Sequence, residues 1–245
     1  MGISTATIKV IRSLKLKKFR QIHGTFVVEG EKLVGELCRE RRSDIEQIYA
    51  LDTWSAPAGN WPITRISVKE LERISNLKTP NQVVALVRQF EFPDKAPVFS
   101  PGLYLESIQD PGNLGTILRI ADWFGIPQVH CSPDTVDAYN TKVIQASMGA
   151  IFRVDLIYTE INDLLKKYPD VQLWATTLNG QDIFEAPISG PALLAIGNES
   201  RGLSAPLISK AHGQIRIPGG GQAESLNAGV ATGIIAALYR QQNRP

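Results

Sequence analysis

The chain has 245 residues, 43% of them hydrophobic and 20% charged, and this length can bury a full core without staples as one large domain or two modest ones. Its 26 basic and 24 acidic side chains leave a formal net charge of +2, so overall charge does not by itself point to nucleic acid. Cys38 and Cys131 lack CxxC spacing or a nearby histidine cluster and read as inert thiols; with no signal core and no apolar run of transmembrane length, a cytoplasmic protein away from membranes is expected.

The first part of the chain alternates helix and strand patterns. A basic helix is expected near 5–18, a strand at FVVEG, a helix near 31–40 and a strand at IEQIYAL. A helix near 67–75 and a strand at VVALVR follow. Together they make a small α/β domain, residues 1–92. Three prolines without helical or alternating pattern mark 93–102 as a linker.

From residue 103 to 245 the alternation is cleaner. Strands are expected at LYLES, QVHC, FRVDLI, QLWAT, ALLAIG and QIRIP, with helical patterns between most of them. Such alternation implies a mostly parallel sheet with helices on both faces. Ligands of such sheets gather beyond the carboxyl ends of the strands, where three unusual blocks fall.

The first block is DPGNLGTILRIADWFG, residues 110–125. Asp110-Pro111-Gly112 makes a turn, Asn113 is a plausible N-cap, and Leu114, Ile117, Leu118, Ala121 and Phe124 form a buried stripe. Arg119 lies about 140° from Leu114 on the helical wheel. It is either a solvated arginine or, with Asn113, a grip for a polyanion.

The second block, IGNESRGL, follows an apolar strand: Gly197 and Gly202 permit close backbone approach, while Glu199 and Arg201 bring charge. As structure alone it is a loop before a helix capped by Ser204, with Pro206 in the first turn.

The third block, IPGGGQAESLNAGVATG, enters a helix at Ser225, Leu226 and Asn227 through a glycine-rich turn. It matches neither a Walker loop nor GxGxxG. Leu226, Val230, Ile234 and Leu238 recur at steps of four, so that face is expected in the core. The remaining face is small and admits another helix closely, from a second subunit or from the same chain.

Together these blocks resemble the SpoU (TrmH-type) RNA ribose 2′-O-methyltransferases of the SPOUT superfamily. The first motif is met by Asn113, Gly115 and Arg119; the second by Gly197, Asn198, Glu199 and Gly202; the third by Ile217, Pro218, Ser225, Leu226 and Asn227. Gly219 stands where methionine is commoner, and Ser200 where glycine is frequent.

The resemblance implies an α/β fold with a deep trefoil knot in the C-terminal domain, S-adenosylmethionine held in that knot, and a homodimer whose site draws on both subunits. It implies an S-adenosylmethionine-dependent RNA 2′-O-methyltransferase, with ribosomal RNA of the 23S type favoured. A transfer-RNA enzyme is one alternative. A non-catalytic RNA-binding or ribosome-assembly protein is another.

Arg119, Asn113, Glu199, Ser225 and Asn227 carry the catalytic roles in this reading. In the family the motif-one arginine acts on the 2′-hydroxyl; since a guanidinium normally stays charged, Arg119 is expected to organise the hydroxyl and a phosphate, with acceptance of the proton as the alternative. Thr176, Thr177, Leu178, Asn179, Gly197, Asn198, Ile217, Ser225 and Leu226 line the cofactor, and no metal is needed. The N-terminal domain is similar to kink-turn-binding ribosomal proteins, with Lys9, Arg12, Lys15, Lys17, Lys18 and Arg20 expected on RNA phosphates.

Overall fold

A computed structural model describes residues 2–91, 101–188 and 190–243. Residues 93–100 of the expected linker lie outside the described residues. The chain forms two compact units. One takes the chain up to Glu91 together with Asp137–Phe152, and the other holds the remaining described residues. The expected boundary kept 137–152 with the C-terminal domain; the structure places this segment in the first unit.

The first unit is built on a sheet of order β1-β4-β2-β3: β1 (Thr25–Glu29), β2 (Ile45–Ala50), β3 (Ile63–Arg65) and β4 (Val83–Arg88). Strands β1 and β2 pair antiparallel with β4, while β3 adds parallel to β2. Four helices come from the N-terminal stretch: α1 (Thr5–Ser13), α2 (Lys17–His23), α3 (Glu31–Glu40) and α4 (Val68–Ile74). Ile8, Ile11 and Leu14 pack with Val27, Tyr49, Leu71, Ile74 and Val84 in one core. Helix α4 starts at a capping box in which Ser67 and Glu70 satisfy each other's backbone amides.

The single helix expected near 5–18 is two helices. Arg20 explains the break: its Nη1 donates to the carbonyls of Leu14 (2.7 Å) and Lys15 (2.9 Å), closing the end of α1. Strand β3 and helix α6 (Thr141–Ser147) are elements the sequence patterns do not mark.

The 137–152 segment belongs to the first unit for visible chemical reasons. Tyr139 lies 4.5 Å, ring to ring, from Phe26 and 5.9 Å from Phe90, and Phe152 meets Phe90 edge-on at 6.2 Å. The Phe90 amide donates to the Tyr139 hydroxyl (2.8 Å), Arg41 to the Phe152 carbonyl (2.8 Å), and Gln145 to the Glu29 carbonyl (3.0 Å).

The second unit carries a six-stranded sheet in the order β10-β8-β9-β5-β6-β7, parallel throughout. Its strands are β5 (Gly102–Leu105), β6 (Gln128–Cys131), β7 (Asp155–Tyr158), β8 (Gln172–Asp182), β9 (Ala192–Ile196) and β10 (Gly213–Arg216). All six expected strands are present, with ends shifted by up to three residues except in β8, which runs six residues farther. The central strands β5 and β9 are buried along their whole length, which is why they read as unbroken apolar runs. Tyr104, Leu173, Leu193 and Ala195 pack with Ile161 and Leu164 of α7 (Ile161–Lys167) and Leu207 of α8 (Ala205–Ile208).

Helix α5 (Pro111–Trp123) follows β5, and α9 (Ala228–Gln242) packs on it. A Cβ on Gly229 would come within 2.8 Å of the Thr116 methyl, and one on Gly233 within 3.6 Å of Ile120 Cδ1. Farther along, Arg240 donates to the Phe124 carbonyl (3.1 Å from Nε). The contacts ascend together on both helices, so α5 and α9 run parallel, brought close by glycine.

This packing reverses the expectation for α9. Its buried residues are the small face and its neighbours, Ala228, Gly229, Thr232, Ile235, Ala236 and Tyr239. The stripe of large residues expected in the core is exposed or half-exposed: Leu226 at 49%, Val230 at 52%, with Ile234 and Leu238 intermediate. The small face is already used within the chain.

Candidate functional site

The three blocks meet at the carboxyl ends of β5 and β9, where the strand order switches between the two halves of the sheet. Asp110, not Asn113, caps α5: its Oδ1 accepts the Asn113 amide at 2.9 Å. Asn113 is thereby freed for another use one turn inside the helix. It is 9% exposed, and its Nδ2 donates to Glu199 Oε1 at 2.6 Å. Its Oδ1 accepts from Asn227 Nδ2 at 2.7 Å. One side chain of the first block therefore ties the second block to the third.

Asn227 is the N-cap of α9, with Oδ1 accepting the amides of Gly229 (2.9 Å) and Val230 (3.3 Å). The helix starts later than expected, leaving Ser225 and Leu226 in irregular chain. Residues 218–226 make no hydrogen bond to another described residue, and Gly219, Gly220 and Gly221 border open space. Main-chain donors and acceptors are thus free along this stretch. Ser225 is exposed and stands outside the Asn113 network.

The second block is a tight loop. A Cβ on Gly197 would lie 2.3 Å from the Gly202 carbonyl carbon and 2.4 Å from the Leu203 amide, so only glycine fits. Asn198 holds the turn, with Oδ1 accepting from Ser200 (3.0 Å) and Arg201 (3.1 Å), and Ser204 caps α8 as expected. Glu106, just past β5, accepts both the amide (2.6 Å) and hydroxyl (2.7 Å) of Ser204. No motif contains Glu106, so no sequence pattern marks it for this role.

The loop expected on the cofactor lies where β8 leaves its ladder with β10. Ala175 pairs with Gln214 and Gln181 with Ile215, so residues 176–180 are looped out between them. Thr176 donates to the Ala195 carbonyl (2.7 Å) and Thr177 to Gln214 (3.3 Å). Leu178 and Asn179 are exposed. Free main chain at 218–226 with the exposed apolar side chains Leu178 and Leu226 suits a nucleoside-like ligand: the side chains offer surface to a ring, the backbone offers hydrogen bonds to its edge.

Arg119 stands apart. It lies six residues beyond Asn113, about 9 Å along the helix axis and about 120° around it. It is exposed and, among the described residues, makes no hydrogen bond or ion pair. Trp123, one turn farther on, is 84% exposed.

The basic residues of the first unit divide in two. Lys9, Arg12, Lys15, Lys17 and Lys18 are exposed, with Val10, Leu16 and Ile22 exposed among them. Arg20 corrects the expectation: it is 3% exposed, its Nε donates to Asp137 at 2.9 Å, and its Nη1 is taken by main-chain carbonyls. A guanidinium committed in this way inside the fold cannot also grip phosphate.

Comparison with known proteins bears directly on this arrangement. Residues 101–237 match the model of the SpoU rRNA Methylase family. The chain belongs to the SpoU rRNA methylase family. Residues 5–85 match the MRM3-like substrate binding domain. The chain is 31% identical, over 95% of both proteins, to the 23S rRNA (guanosine(2553)-2′-O)-methyltransferase of Bacillus subtilis. Among solved structures it is similar to a protein assigned to the TrmH family of RNA methyltransferases from Porphyromonas gingivalis, with a TM-score of 0.87, 33% identity and coverage of 99% and 100% of the two chains. It is also similar to an AdoMet-bound rRNA methyltransferase from Sinorhizobium meliloti, with a TM-score of 0.87, 28% identity and coverage of 100% and 98%. In this SpoU chain the three blocks therefore converge at the strand ends of a SpoU domain.

Proposed function

We propose that this chain is a cytoplasmic, S-adenosylmethionine-dependent RNA ribose 2′-O-methyltransferase that acts on ribosomal RNA. The observation that carries the reading is the bridge from Glu199 through Asn113 to Asn227, which joins all three blocks beside unpaired main chain. The Bacillus relative is named for this reaction, and the Sinorhizobium relative for its bound methyl donor.

The cofactor supplies an electrophilic methyl group on a positively charged sulfur. Main chain at Gly197, Ile217 and Leu226, with the 176–179 loop, would hold it. The run of the chain from β10 to α9, which packs on α5, is the crossing on which the knot implied by the resemblance would be threaded. The chain's own task is to orient the ribose hydroxyl and assist loss of its proton. Asn113 and Asn227 are fixed amides for that purpose, and Glu199 holds Asn113 in one orientation. Arg119 would orient the 2′-hydroxyl and a flanking phosphate through its fork of donors.

Arg119 cannot do this for the Asn113 of its own helix, given their separation, and a second copy of the chain resolves the difficulty. Leu226 just before α9, Val230 on α9 and Trp123 on α5 are exposed apolar side chains on the elements that bear the site. Pairing two chains over them would bury these side chains and bring the Arg119 of one protomer to the Asn113 of its partner. The exposed lysines and Arg12 of α1 and α2 would hold the RNA backbone.

The decisive experiment incubates the purified protein with radiolabelled S-adenosylmethionine and ribosomal RNA from a deletion strain, then maps the ribose that resists alkaline hydrolysis. Label in ribosomal RNA at one ribose supports the reading. Label only in transfer RNA, or none in any RNA with cofactor bound, overturns it in favour of the corresponding alternative.

A further inference from the structure

We infer that Ser107 and Asp134, which lie outside all three motifs, are positioning residues for methyl transfer: they fix the Ser107 carbonyl on Asn198, and through Asn198 set Glu199. Ser107 follows β5 closely and has φ +57°, the left-handed region that L-residues other than asparagine and aspartate seldom occupy. Such a conformation persists only when its surroundings hold it.

Those surroundings come from the end of β6. The Ser107 amide donates to Ser132 Oγ (2.8 Å), and its hydroxyl donates to Asp134 Oδ2 (2.5 Å). Asp134 Oδ1 accepts from Ser132 (2.5 Å), so one carboxylate holds both serines. Gln109 donates to the Asp134 carbonyl (2.6 Å), and the Val136 amide to the Ile108 carbonyl (2.9 Å), which fixes the two segments side by side. Burial pulls the Asp134 carboxyl upward, but the Ser107 and Ser132 hydroxyls, its own backbone and Arg201 outweigh it and hold the carboxyl below its ordinary value.

The unusual φ turns the Ser107 carbonyl onto Asn198, whose Nδ2 donates to it at 2.8 Å. Asn198 has no freedom to do otherwise. Its Oδ1 is occupied by the amides of Ser200 and Arg201, so its amino group must find an acceptor where Ser107 stands. The next residue is Glu199, whose carboxylate holds Asn113. If Ser107 relaxed to an ordinary conformation its carbonyl would swing away, and the Glu199 end of the loop would lose its anchor. The far end would stay, because Glu106 holds Ser204 independently. Loss of the Asp134 contact should therefore misplace Glu199 without unfolding the loop.

The inference rests on the reading of Glu199 and Asn113 as parts of the site. The test measures kcat, KM for RNA, affinity for S-adenosylmethionine and thermal midpoint in the full chain for Asp134→Ala, Ser107→Ala, Ser107→Gly and the Asp134→Ala/Ser107→Ala double variant, with Glu199→Ala alongside. Asp134→Ala and Ser107→Ala should each lose kcat by about 10- to 100-fold, with RNA KM within about threefold and the melting midpoint within a few degrees of wild type. Ser107→Gly lacks the hydroxyl but holds positive φ without strain, so it should lose less than Ser107→Ala. The double variant should be no slower than the slower single one, because one residue acts through the other. Asp134→Asn, which keeps one acceptor oxygen, should recover part of the loss.

Multiplicative losses in the double variant, or a fall in kcat that merely follows the melting midpoint, overturns the inference. Full turnover in Glu199→Ala overturns the reading of the site itself. Loss there with unimpaired Asp134 and Ser107 variants overturns this inference alone.

Discussion

Asn227 Nδ2 donates to the side-chain Oδ1 of Asn113 at 2.7 Å, across 114 residues of sequence. The direction of that bond is dictated. Asn227 Oδ1 already caps α9, so its amino group faces Asn113, and the amino group of Asn113 is then left for the Glu199 carboxylate. A chain of three side chains thus has one consistent orientation, set by a helix cap at one end and a carboxylate at the other.

Asn113→Asp tests that polarity. The new carboxylate would face Glu199 at hydrogen-bond distance, and two such groups cannot both ionise comfortably. Turnover should fall below that of Asn113→Ala at neutral pH. The shared proton raises the folded-state pKa of the pair, so the folded variant binds more protons than the unfolded one, and its stability should fall as pH rises. Urea titrations at several pH values check this; a variant as stable at pH 8 as at pH 5 contradicts it.

Arg119 gives a test of shared sites. Arg119→Ala should lower kcat at least about 100-fold while leaving cofactor affinity within about twofold. Mixed with Asn113→Ala, subunits that exchange should recover activity. Half of the dimers are mixed, and each has one site with neither defect, so about a quarter of wild-type activity returns. If both residues act within one chain, mixing recovers nothing.

The exposed stripe makes a separate claim about assembly. Val230→Asp and Trp123→Ala should shift the protein toward monomer in sedimentation, with Asn113 and its partners undisturbed because neither side chain takes part in their hydrogen bonds. A dimer unchanged in both variants places the interface elsewhere.

The two kinds of arginine and lysine in the first unit should respond differently. Neutralising Lys15, Lys17 and Lys18 should reduce the slope of log affinity against log salt by about 2 to 3, with folding unaffected. Arg20→Ala should instead destabilise the first unit by about 3–5 kcal/mol, because it strands Asp137 and opens two carbonyls. Denaturant unfolding and filter binding separate the two outcomes.

His130 predicts an acid limb in stability. Burial in β6 lowers its pKa from 6.5 to about 4. The unfolded chain takes up a proton below about pH 6.5 that the folded chain refuses until about pH 4, so stability is full above pH 6.5 and declines between those values. The loss approaches about 3 kcal/mol. His130→Phe should flatten the profile in that window, whatever its effect on stability at neutral pH.

Much of this architecture is legible in the amino-acid sequence. The parallel strands stand out because burial on both faces removes polar residues, and the resemblance carried by the three motifs implies that Asn113, Glu199 and Asn227 share a site. What escapes are choices that periodicity leaves open. On α9 a stripe of large residues and a face of small ones each make a plausible core, and glycine opposite Thr116 decides for the small face. Arg20 looks like the lysines around it, since nothing local shows that Asp137 lies across from it. Ser107 and Asp134 carry no pattern at all; their partnership exists only once β5 and β6 lie side by side.

The residence of Asp137–Phe152 in the first unit has a consequence for how this protein can be divided. A fragment ending near residue 91 would keep the sheet but lose Tyr139 and Phe152, leaving Phe26 and Phe90 uncovered and Arg20 without its carboxylate. Such a piece should be sticky and weakly folded. A cut at the proline-rich stretch would therefore separate the first unit from part of its own packing. Folding of the first unit thus draws on chain some fifty residues beyond Glu91.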